Sequence, residues 1–311
     1  MDTMRAVRVT HFGGPEALLV EDVPKPRPGP GEVLVRVEAT GVNPVDWKLR
    51  EGLFQELPLP FTPGGDFCGS IVELGPGAAG FKKGDVVFGC AKGSMGADAE
   101  FVAVPTANMA LKPRTMEPVA AAGVPLAAMT AWQGLFTHGR LRKGETILIL
   151  GASGAVGSIA VQLAKSAGAR VIGTASGANV ARIQALGCDE AVDYKTRRFE
   201  DVAHDVEFCL DLLGGEFQER AFTTIKPGGR LISAVQEPDA VLARRRRIEA
   251  RLFRMKPDAA QLRELAKKID AGELKITVAR VMRLDQAAEA EELNRQQKVH
   301  GKIVLRVRAP S

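Results

Sequence analysis

The sequence of 311 residues has little cysteine, histidine or aromatic content, with four cysteines, four histidines, one tyrosine and two tryptophans. The cysteines are widely scattered and form no Cys-x-x-Cys pair; they are Cys68, Cys90, Cys188 and Cys209. This spacing excludes a disulfide framework and a thiolate metal site, and it indicates a reducing compartment. The histidines have no metal-ligand spacing either; they are His11, His138, His204 and His300.

Long apolar runs are also missing. The first residues, Met-Asp-Thr-Met-Arg, lack the apolar segment of a signal peptide, and no stretch approaches transmembrane length. We therefore expect a soluble cytoplasmic protein. Its formal charge of +5 is modest for this length, so it fits anionic small molecules and does not require nucleic acid.

A glycine-rich turn organises the chain. Residues 146–150 are apolar and β-prone, residues 151–157 read Gly-Ala-Ser-Gly-Ala-Val-Gly, and residues 158–165 have apolar positions at helical spacing. A second apolar strand follows at 170–174. Strand, glycine turn, helix and strand in this order predict the first βαβ unit of a dinucleotide-binding sheet. The alternative is a glycine turn that only packs a helix on a sheet.

The end of the second strand bears on which dinucleotide binds. An NAD site usually has Asp or Glu there, but residues 174–182 (Thr-Ala-Ser-Gly-Ala-Asn-Val-Ala-Arg) contain no carboxylate. Ser176, Asn179 and Arg182 suit a 2′-phosphate, which predicts NADPH. Alternatively, Ser176 and Asn179 form a turn and a helix cap, and Arg182 lies on a solvated helix face.

The remaining pattern predicts two domains. Residues 4 to about 120 read as short strands separated by glycine and proline, which suggests a partly open all-β barrel. Strands and helices then alternate as far as residue 234, as in a parallel sheet. An amphipathic helix at 257–271, a strand at 274–281 and a helix at 284–294 precede a closing strand at 301–307, expected to return to the first domain. The predicted boundaries are 1–120 with 272–311, and 121–271.

One charge cluster stands out: four consecutive arginines at 244–247, with Arg251 and Arg254 nearby. Such a cluster can bind nucleic acid or membrane phosphates. The interpretation we favour is a solvated helix face, or an edge that pairs with acidic residues of a second subunit.

With these segments placed, the sequence resembles the medium-chain dehydrogenase/reductase superfamily, and within it the zinc-free quinone oxidoreductases, relatives of zeta-crystallin. The matching stretches are 41–52, 63–69, 130–132, 151–157, 193–195 and 301–305. The resemblance implies an α/β fold in which a GroES-like β-barrel catalytic domain is interrupted by a Rossmann domain with a doubly wound parallel sheet. It also implies a homodimer.

The resemblance also bears on metal binding. Zinc alcohol dehydrogenases of this superfamily have a ligand Cys where this chain has Asn43 and a ligand His where it has Gly65, and their cysteine-rich structural-zinc lobe is missing here. Neither replacement offers a thiolate or an imidazole, so no metal is predicted. Without a Lewis acid, simple alcohol oxidation is difficult. Hydride transfer to a quinone or an enone is easier, because the charge spreads over an enolate.

Three residues of the first matching stretch are the predicted catalytic group. Asn43 is the first candidate for an oxyanion hydrogen-bond donor, Asp46 is expected to orient Lys48 or a backbone group, and Lys48 to protonate an enolate or contact the nicotinamide ribose. For each, the alternative is a structural role in the barrel. Phe54 and Trp47 are predicted in the substrate pocket. Related enoyl-thioester reductases have a proton-donating Tyr at the position of Phe54, so that reaction is disfavoured.

The resemblance also implies a set of cofactor-binding residues in addition to the turn. Thr130 matches a threonine near the nicotinamide, Ser176 and Tyr194 match the adenosine end, and Arg182 substitutes for a family lysine near Asn179. Leu213, Ser233 and Val235 fit backbone contacts near the nicotinamide ribose. The complete prediction is Thr130, Gly151, Ala152, Ser153, Gly154, Ala155, Val156, Gly157, Ser176, Asn179, Arg182, Tyr194, Leu213, Ser233, Val235 and Lys302.

These observations predict an NADPH-dependent reductase of quinones or other α,β-unsaturated carbonyl compounds. An alternative from another class is a non-catalytic NADPH-binding protein of the crystallin type; a variant of this hypothesis has it contact RNA through the arginines at 244–247. A zinc alcohol dehydrogenase is the third hypothesis, and it requires bound zinc.

Overall fold

A computed structural model of the chain describes residues 2–53, 57–91, 93, 95–297 and 299–308. By their contacts the residues form two compact units. The first unit contains Met1–Leu126, Pro257–Gly272 and Ile276–Ser311, and the second contains Ala127–Lys256 and Glu273–Lys275. Among the described residues, no helix combines the length and the apolar character needed to cross a bilayer.

Strands alternate with short loops in the first unit and with helices in the second. In chain order the strands are β1 (Thr3–Val9), β2 (Leu18–Pro24), β3 (Glu32–Val42), β4 (Asp66–Leu74), β5 (Val86–Cys90), β6 (Phe101–Pro105), β7 (Met109–Leu111), β8 (Thr146–Leu150), β9 (Arg170–Ala175), β10 (Glu190–Asp193), β11 (Val206–Asp211), β12 (Ile225–Ser233), β13 (Glu249–Leu252), β14 (Val278–Arg283) and β15 (Lys302–Arg306).

The helices are mostly short. They are α1 (Pro44–Arg50), α2 (Pro118–Ala121), α3 (Pro125–Trp132), α4 (Ala155–Ser166), α5 (Asn179–Ala185), α6 (Gly215–Ala221), α7 (Ala240–Arg246), α8 (Ala259–Asp270) and α9 (Ala287–Arg295). A π-helical segment, Gln133–His138, continues α3. The arginines at 244–247 are exposed at the end of α7, which agrees with a solvated helix face.

Strand β3 is the centre of the first unit. Its described sheet has the order β14-β15-β3-β4-β5-β7, and β6 also pairs with β3. The first half of β3 pairs with β6 and its end pairs with β15, while β4 runs antiparallel along its other edge. Register shifts between β3 and β4 bend the strand, as bulges do. The predicted strand-rich barrel is confirmed, and so is the return of the closing strand.

The second unit contains a six-stranded parallel sheet in the order β10-β9-β8-β11-β12-β13. Its central strand β8 is apolar because both of its faces are covered, and residues 147–150 are fully buried. The predicted Rossmann-type sheet is therefore confirmed. The order reverses at β8, since β9 lies on one side of it and β11 on the other. This point is where dinucleotides bind in such sheets.

The division into units differs from the predicted boundary at 271. Helix α8 belongs to the first unit, where Leu262, Leu265 and Ile269 are buried. At its end the Asp270 carboxylate accepts hydrogen bonds from the backbone N–H and the hydroxyl of Thr115, at 2.9 and 3.0 Å. The spacing of its apolar residues predicted an amphipathic helix correctly, but such spacing does not specify which surface the apolar face covers.

Candidate active site

The glycine turn after β8 is held by its own backbone and by β9. Gly151 has a φ of +77°, its N–H donates to the Thr174 hydroxyl at 3.0 Å, and the Ala152 N–H donates to the Thr174 carbonyl at 3.0 Å. A β-carbon added to Gly157 would lie 2.2 Å from the Gly151 carbonyl oxygen. Only glycine therefore fits at position 157, because this turn brings the helix backbone directly against the turn.

Gly154, by contrast, borders open space. It precedes the first residue of α4, it is exposed, and a β-carbon added there would meet only the Gly151 carbonyl oxygen, at 3.4 Å. The first N–H groups of an α-helix have no partner within the helix, and they give its N-terminus a partial positive charge. The turn and the start of α4 thus form a cradle that fits a dinucleotide pyrophosphate. Residues 151–157 lie together as predicted.

The predicted adenosine-end residues follow β9 and β10. The Asn179 side-chain amide donates to the Ser176 hydroxyl at 3.1 Å, so these two residues form a local turn, as the alternative interpretation had it. The guanidinium of Arg182 reaches from α5 to the Ser153 carbonyl oxygen, which places its charge beside the glycine turn. Tyr194 is 43% exposed, and its ring meets Phe217 edge to face.

A carboxylate that the sequence argument missed lies close to these residues. Asp193 ends β10, pairs in register with Ala175 of β9, and has an oxygen 3.8 Å from the position of a β-carbon on Gly177. Residues 174–182 lack a carboxylate in sequence, but the neighbouring strand supplies one. The adenosine end of the cradle therefore contains a cation, Arg182, and an anion, Asp193.

Leu213 follows β11, Ser233 is the last residue of β12 and Val235 follows that strand, so all three lie on the other side of β8 from β9. Ser233 is fully buried and donates to the Asp211 carboxylate at 2.7 Å, whereas Leu213 is 38% exposed. Asp211 was not among the residues predicted from the sequence. It could have been recognised as a candidate, because it is a charged residue at the end of an otherwise apolar strand segment. Thr130 is nearly buried, in α3 of the second unit.

In the first unit, Asn43 connects the end of β3 to α1 and is 2% exposed. Its amide nitrogen donates to the Gly41 carbonyl and to the Asp66 carboxylate, both at 3.0 Å. Its side-chain oxygen accepts from the Lys302 ammonium. This geometry disagrees with the prediction of an oxyanion donor, because both amide N–H groups already have acceptors. Asn43 instead holds Asp66 and Lys302 together.

Lys302, predicted as a cofactor contact, also has its hydrogen-bond donors occupied within the protein. Its side chain is 3% exposed, and its ammonium donates to the Val42 carbonyl at 3.1 Å, to Asn43, and to Asp66 at 3.4 Å. An ammonium has three N–H groups, and these three acceptors use them all. A cofactor contact would require one of these bonds to break. The sequence did not reveal this cluster, because its members are far apart along the chain.

The two other predicted catalytic residues differ in exposure. Asp46 is buried, and its carboxylate accepts from the Asn43 backbone N–H at 2.7 Å, so it supports the start of α1. Burial, together with the charges of Asp98 and Glu291, raises the pKa of Asp46 well above its usual range. Lys48 is partly exposed, with its ammonium 5.4 Å from the centre of the Trp47 ring. Phe54 lies outside the described residues.

Comparison with known proteins agrees with this architecture. A family model described as the alcohol dehydrogenase GroES-like domain matches residues 29–114, and one described as zinc-binding dehydrogenase matches residues 186–305. The quinone oxidoreductase of Rattus norvegicus is 37% identical over 238 residues, which cover 74% of this chain and 72% of the rat protein.

A second relative is the 2-methylene-furan-3-one reductase of Solanum lycopersicum, 35% identical over 241 residues, which cover 74% of this chain and 61% of the tomato protein. Among solved structures, the quinone oxidoreductase from Coxiella burnetii superposes with a TM-score of 0.93 at 29% identity, covering 99% of this chain and 100% of that chain. The chain therefore belongs to the quinone oxidoreductase family of the medium-chain dehydrogenases/reductases.

Proposed function

We propose that this protein is a reductase that uses NADPH to reduce quinones or other α,β-unsaturated carbonyl compounds without a metal. The observation that carries the proposal is the cradle at Gly154, which is open, lies at the start of α4 and has the Arg182 guanidinium bonded to its rim. The names of the rat and tomato relatives, quinone oxidoreductase and 2-methylene-furan-3-one reductase, support the acceptor class, since a 2-methylene-furan-3-one contains a conjugated carbonyl.

Bound NADPH would supply a hydride. The residues of the second unit would hold it: the N-terminus of α4 would bind the pyrophosphate, and Arg182 together with Ser176 would bind the 2′-phosphate. A charged hydrogen bond to phosphate contributes about 1.5–3 kcal/mol. The Asp193 carboxylate opposes this preference, so the balance between Arg182 and Asp193 decides between NADPH and NADH.

Zinc, which the name of one matching family model implies, does not fit the residues present. Among the described residues, no three His, Cys, Asp or Glu side chains group together as ligands. Cys90 donates its thiol proton to Asp66 at 3.4 Å, and burial raises the pKa of this thiol, whereas zinc requires a thiolate. The Lys302 ammonium already neutralises Asp66. The acceptor must therefore delocalise its own developing charge, as quinones and enones do.

In the first unit we assign Lys48 the contact with the reduced acceptor. It is the more exposed of the predicted cationic and acidic side chains on α1, and an ammonium can stabilise and protonate an enolate. Asn43 and Asp46 then have a structural role: they are buried and hydrogen-bonded to each other at the start of α1. Trp47 and Phe54 stay predictions for the substrate pocket, and the homodimer stays a prediction that light scattering can test.

The decisive experiment follows NADPH absorbance with two acceptors, a simple benzoquinone and a short-chain enone, and in the reverse direction with one hydride donor, a simple alcohol, in the presence of NADP⁺. We expect turnover with the quinone or the enone, negligible alcohol oxidation, and less than stoichiometric zinc by elemental analysis. Tight NADPH binding without turnover of either acceptor would favour the non-catalytic alternative. Alcohol oxidation that depends on bound zinc would overturn the proposal.

Arg182→Glu tests the choice of cofactor. Because it replaces a cation by an anion near the 2′-position, we expect the ratio of kcat/KM for NADPH to that for NADH to fall about 100-fold or more. Arg170→Glu is the matched control: it makes the same charge change at the exposed first residue of β9, at the end of that strand opposite to the one that leads to Ser176 and Arg182. An unchanged ratio in Arg182→Glu would remove this residue from cofactor selection.

A further inference from the structure

A buried carboxylate ends strand β11. Asp211 is fully buried, and its side chain accepts four hydrogen bonds. One oxygen accepts the backbone N–H groups of Leu213 at 3.0 Å and Gly214 at 2.9 Å. The other accepts the Gln218 amide at 2.8 Å and the Ser233 hydroxyl at 2.7 Å. Four donors on one buried carboxylate compensate for its lost hydration.

These bonds connect the loops that follow two neighbouring strands. The Ser233 hydroxyl oxygen accepts the N–H groups of Val235 and Gln236, both at 3.2 Å. The Gln236 side chain in turn accepts the Gly215 N–H at 2.9 Å. The loop after β11 and the loop after β12 are thus tied to each other, and Asp211 is the acceptor common to both.

The loops lie where one half of a dinucleotide belongs. Asp211 pairs in register with Leu150, the last residue of β8, so it adjoins the glycine turn. The strand order reverses at β8: β9 leads to the Ser176 and Arg182 end, and β11 and β12 lie on the opposite side. In a sheet of this kind the two halves of the cofactor lie on the two sides of the point where the strand order reverses. The loops after β11 and β12 therefore lie where the nicotinamide half would bind.

The position of Leu213, whose backbone N–H donates to Asp211, supports the assignment of these loops to the nicotinamide half. Leu213 is an exposed apolar residue, and its Cδ2 atom lies 3.1 Å from the position of a β-carbon on Gly151, so it flanks the cradle directly. Its loop continues through Gly214 and Gly215, which have φ values of +73° and +55°. This conformation gives the loop little stability of its own, and the bonds to Asp211 fix it.

We infer that Asp211 is a positioning residue for the nicotinamide half of the cofactor. It does not touch the cofactor; it fixes Leu213 and the backbone around Ser233, which do. The inference rests on the proposed dinucleotide site. A positioning role and a purely structural role predict different effects. With a positioning role, loss of the carboxylate weakens binding of the nicotinamide half and leaves binding of the adenosine half unchanged.

Binding of NADPH and of 2′,5′-ADP, which lacks the nicotinamide half, separates these possibilities by calorimetry on the full chain. In Asp211→Asn the amide nitrogen faces donors, so at least one of the four bonds is lost. We expect the Kd for NADPH to rise about tenfold. The Kd for 2′,5′-ADP should stay within about twofold, since no bond at the adenosine end changes.

Glu207→Gln is the matched control. Glu207 lies on the same strand, where its carboxylate accepts from the Thr146 N–H at 2.8 Å and pairs with Lys226, but it lies at the opposite end from the loops. Neither Kd should change in this variant. If Asp211→Asn does not fold, Ser233→Ala is the second variant. It removes the hydroxyl's bond to Asp211 and its bonds from the Val235 and Gln236 N–H groups, and it should show the same selective loss of affinity for NADPH.

A parallel loss of affinity for both ligands, or no loss for either, would overturn the inference for Asp211. Failure of the wild-type protein to bind either ligand would instead overturn the proposed dinucleotide site. If wild-type protein prefers NADH, the same comparison is made with NADH and 5′-AMP, and a selective loss of NADH affinity again supports the inference.

Discussion

Replacing Lys302 by methionine tests the buried cluster of the first unit. The change keeps the unbranched side chain up to the ε position and removes the ammonium, which at present donates to the Val42 carbonyl, to the Asn43 side-chain oxygen and to the Asp66 carboxylate. Methionine cannot donate to any of them. The variant therefore leaves a buried negative charge without its cation and removes one hydrogen bond from each of two oxygen atoms.

The expected cost follows from these contacts. Removing one partner of a buried ion pair typically costs about 3–5 kcal/mol. Asp66 keeps three other donors, the Asn43 amide, the Leu126 N–H at 2.8 Å and the Cys90 thiol, so the lower part of that range applies. We expect the free energy of unfolding of the first unit to fall by about 3 kcal/mol.

Urea unfolding followed by tryptophan fluorescence measures this loss. The chain has two tryptophans, and a Trp132→Phe background leaves Trp47, on α1 of the first unit, as the reporter. Adding Asp66→Asn to Lys302→Met removes the uncompensated charge and should recover part of the loss. Lys83→Met, at an exposed position of the same unit, should change stability by less than about 0.5 kcal/mol.

Two results would contradict this role of the Lys302 ammonium. A loss below about 1 kcal/mol in Lys302→Met would show that the ammonium is not an essential part of the buried cluster. No recovery on adding Asp66→Asn would show that the uncompensated charge is not the cause. If instead Lys302 contacts the cofactor, the variant should raise the Kd for NADPH with little change in unfolding.

Two further predictions concern the cradle and a buried acid. Gly157→Ala, whose β-carbon would meet backbone at 2.2 Å, should lower the melting temperature, whereas Gly154→Ala should keep it and raise the Kd for NADPH by about tenfold; equal behaviour of the two variants would contradict the cradle geometry. Burial raises the pKa of Asp98 from 3.8 to about 6, so this residue binds more protons in the folded chain than in the unfolded chain between these values, and it alone should lower stability by about 3 kcal/mol as pH rises through that window. Burial also raises the pKa of Glu291 to about 7, which acts in the same direction. Asp98→Asn should therefore reduce the slope of urea midpoints against pH there, and an unchanged slope would count against this explanation.

The parts of the fold that were predictable from the sequence have local causes. The apolar strand β8, the turn at 151–157 and the apolar face of α8 each follow from residues within one or two elements, and the structure contains all three. The domain boundary at 271 did not follow in this way. Which sheet α8 covers depends on the position of Thr115, which is 155 residues away from Asp270.

The residues of the candidate site likewise fall into those that local sequence identifies and those that depend on long-range contacts. Gly151 and Gly157 have roles that chain direction and backbone sterics require, so they were identifiable. Asn43 was selected from a resemblance and given the role of a donor, but its bonds to Asp66 and Lys302 join residues 23 and 259 positions apart. A pattern in one segment carries no information about a partner that long-range folding brings to it. Asp193 was overlooked for the same reason, because it comes from a neighbouring strand.

The pairing of β15 with β3 also affects the order in which the protein can assemble. The bond from Lys302 to Val42 joins residues 260 positions apart, and the continuous segment of the second unit, Ala127–Lys256, lies entirely between them. A ribosome therefore releases a complete parallel sheet while the end of β3 still presents unpaired N–H and C=O groups to the solvent. Exposed strand edges recruit other chains. The sheet of the first unit, rather than the parallel sheet, is thus the part of the fold that keeps an open strand edge for longest during synthesis.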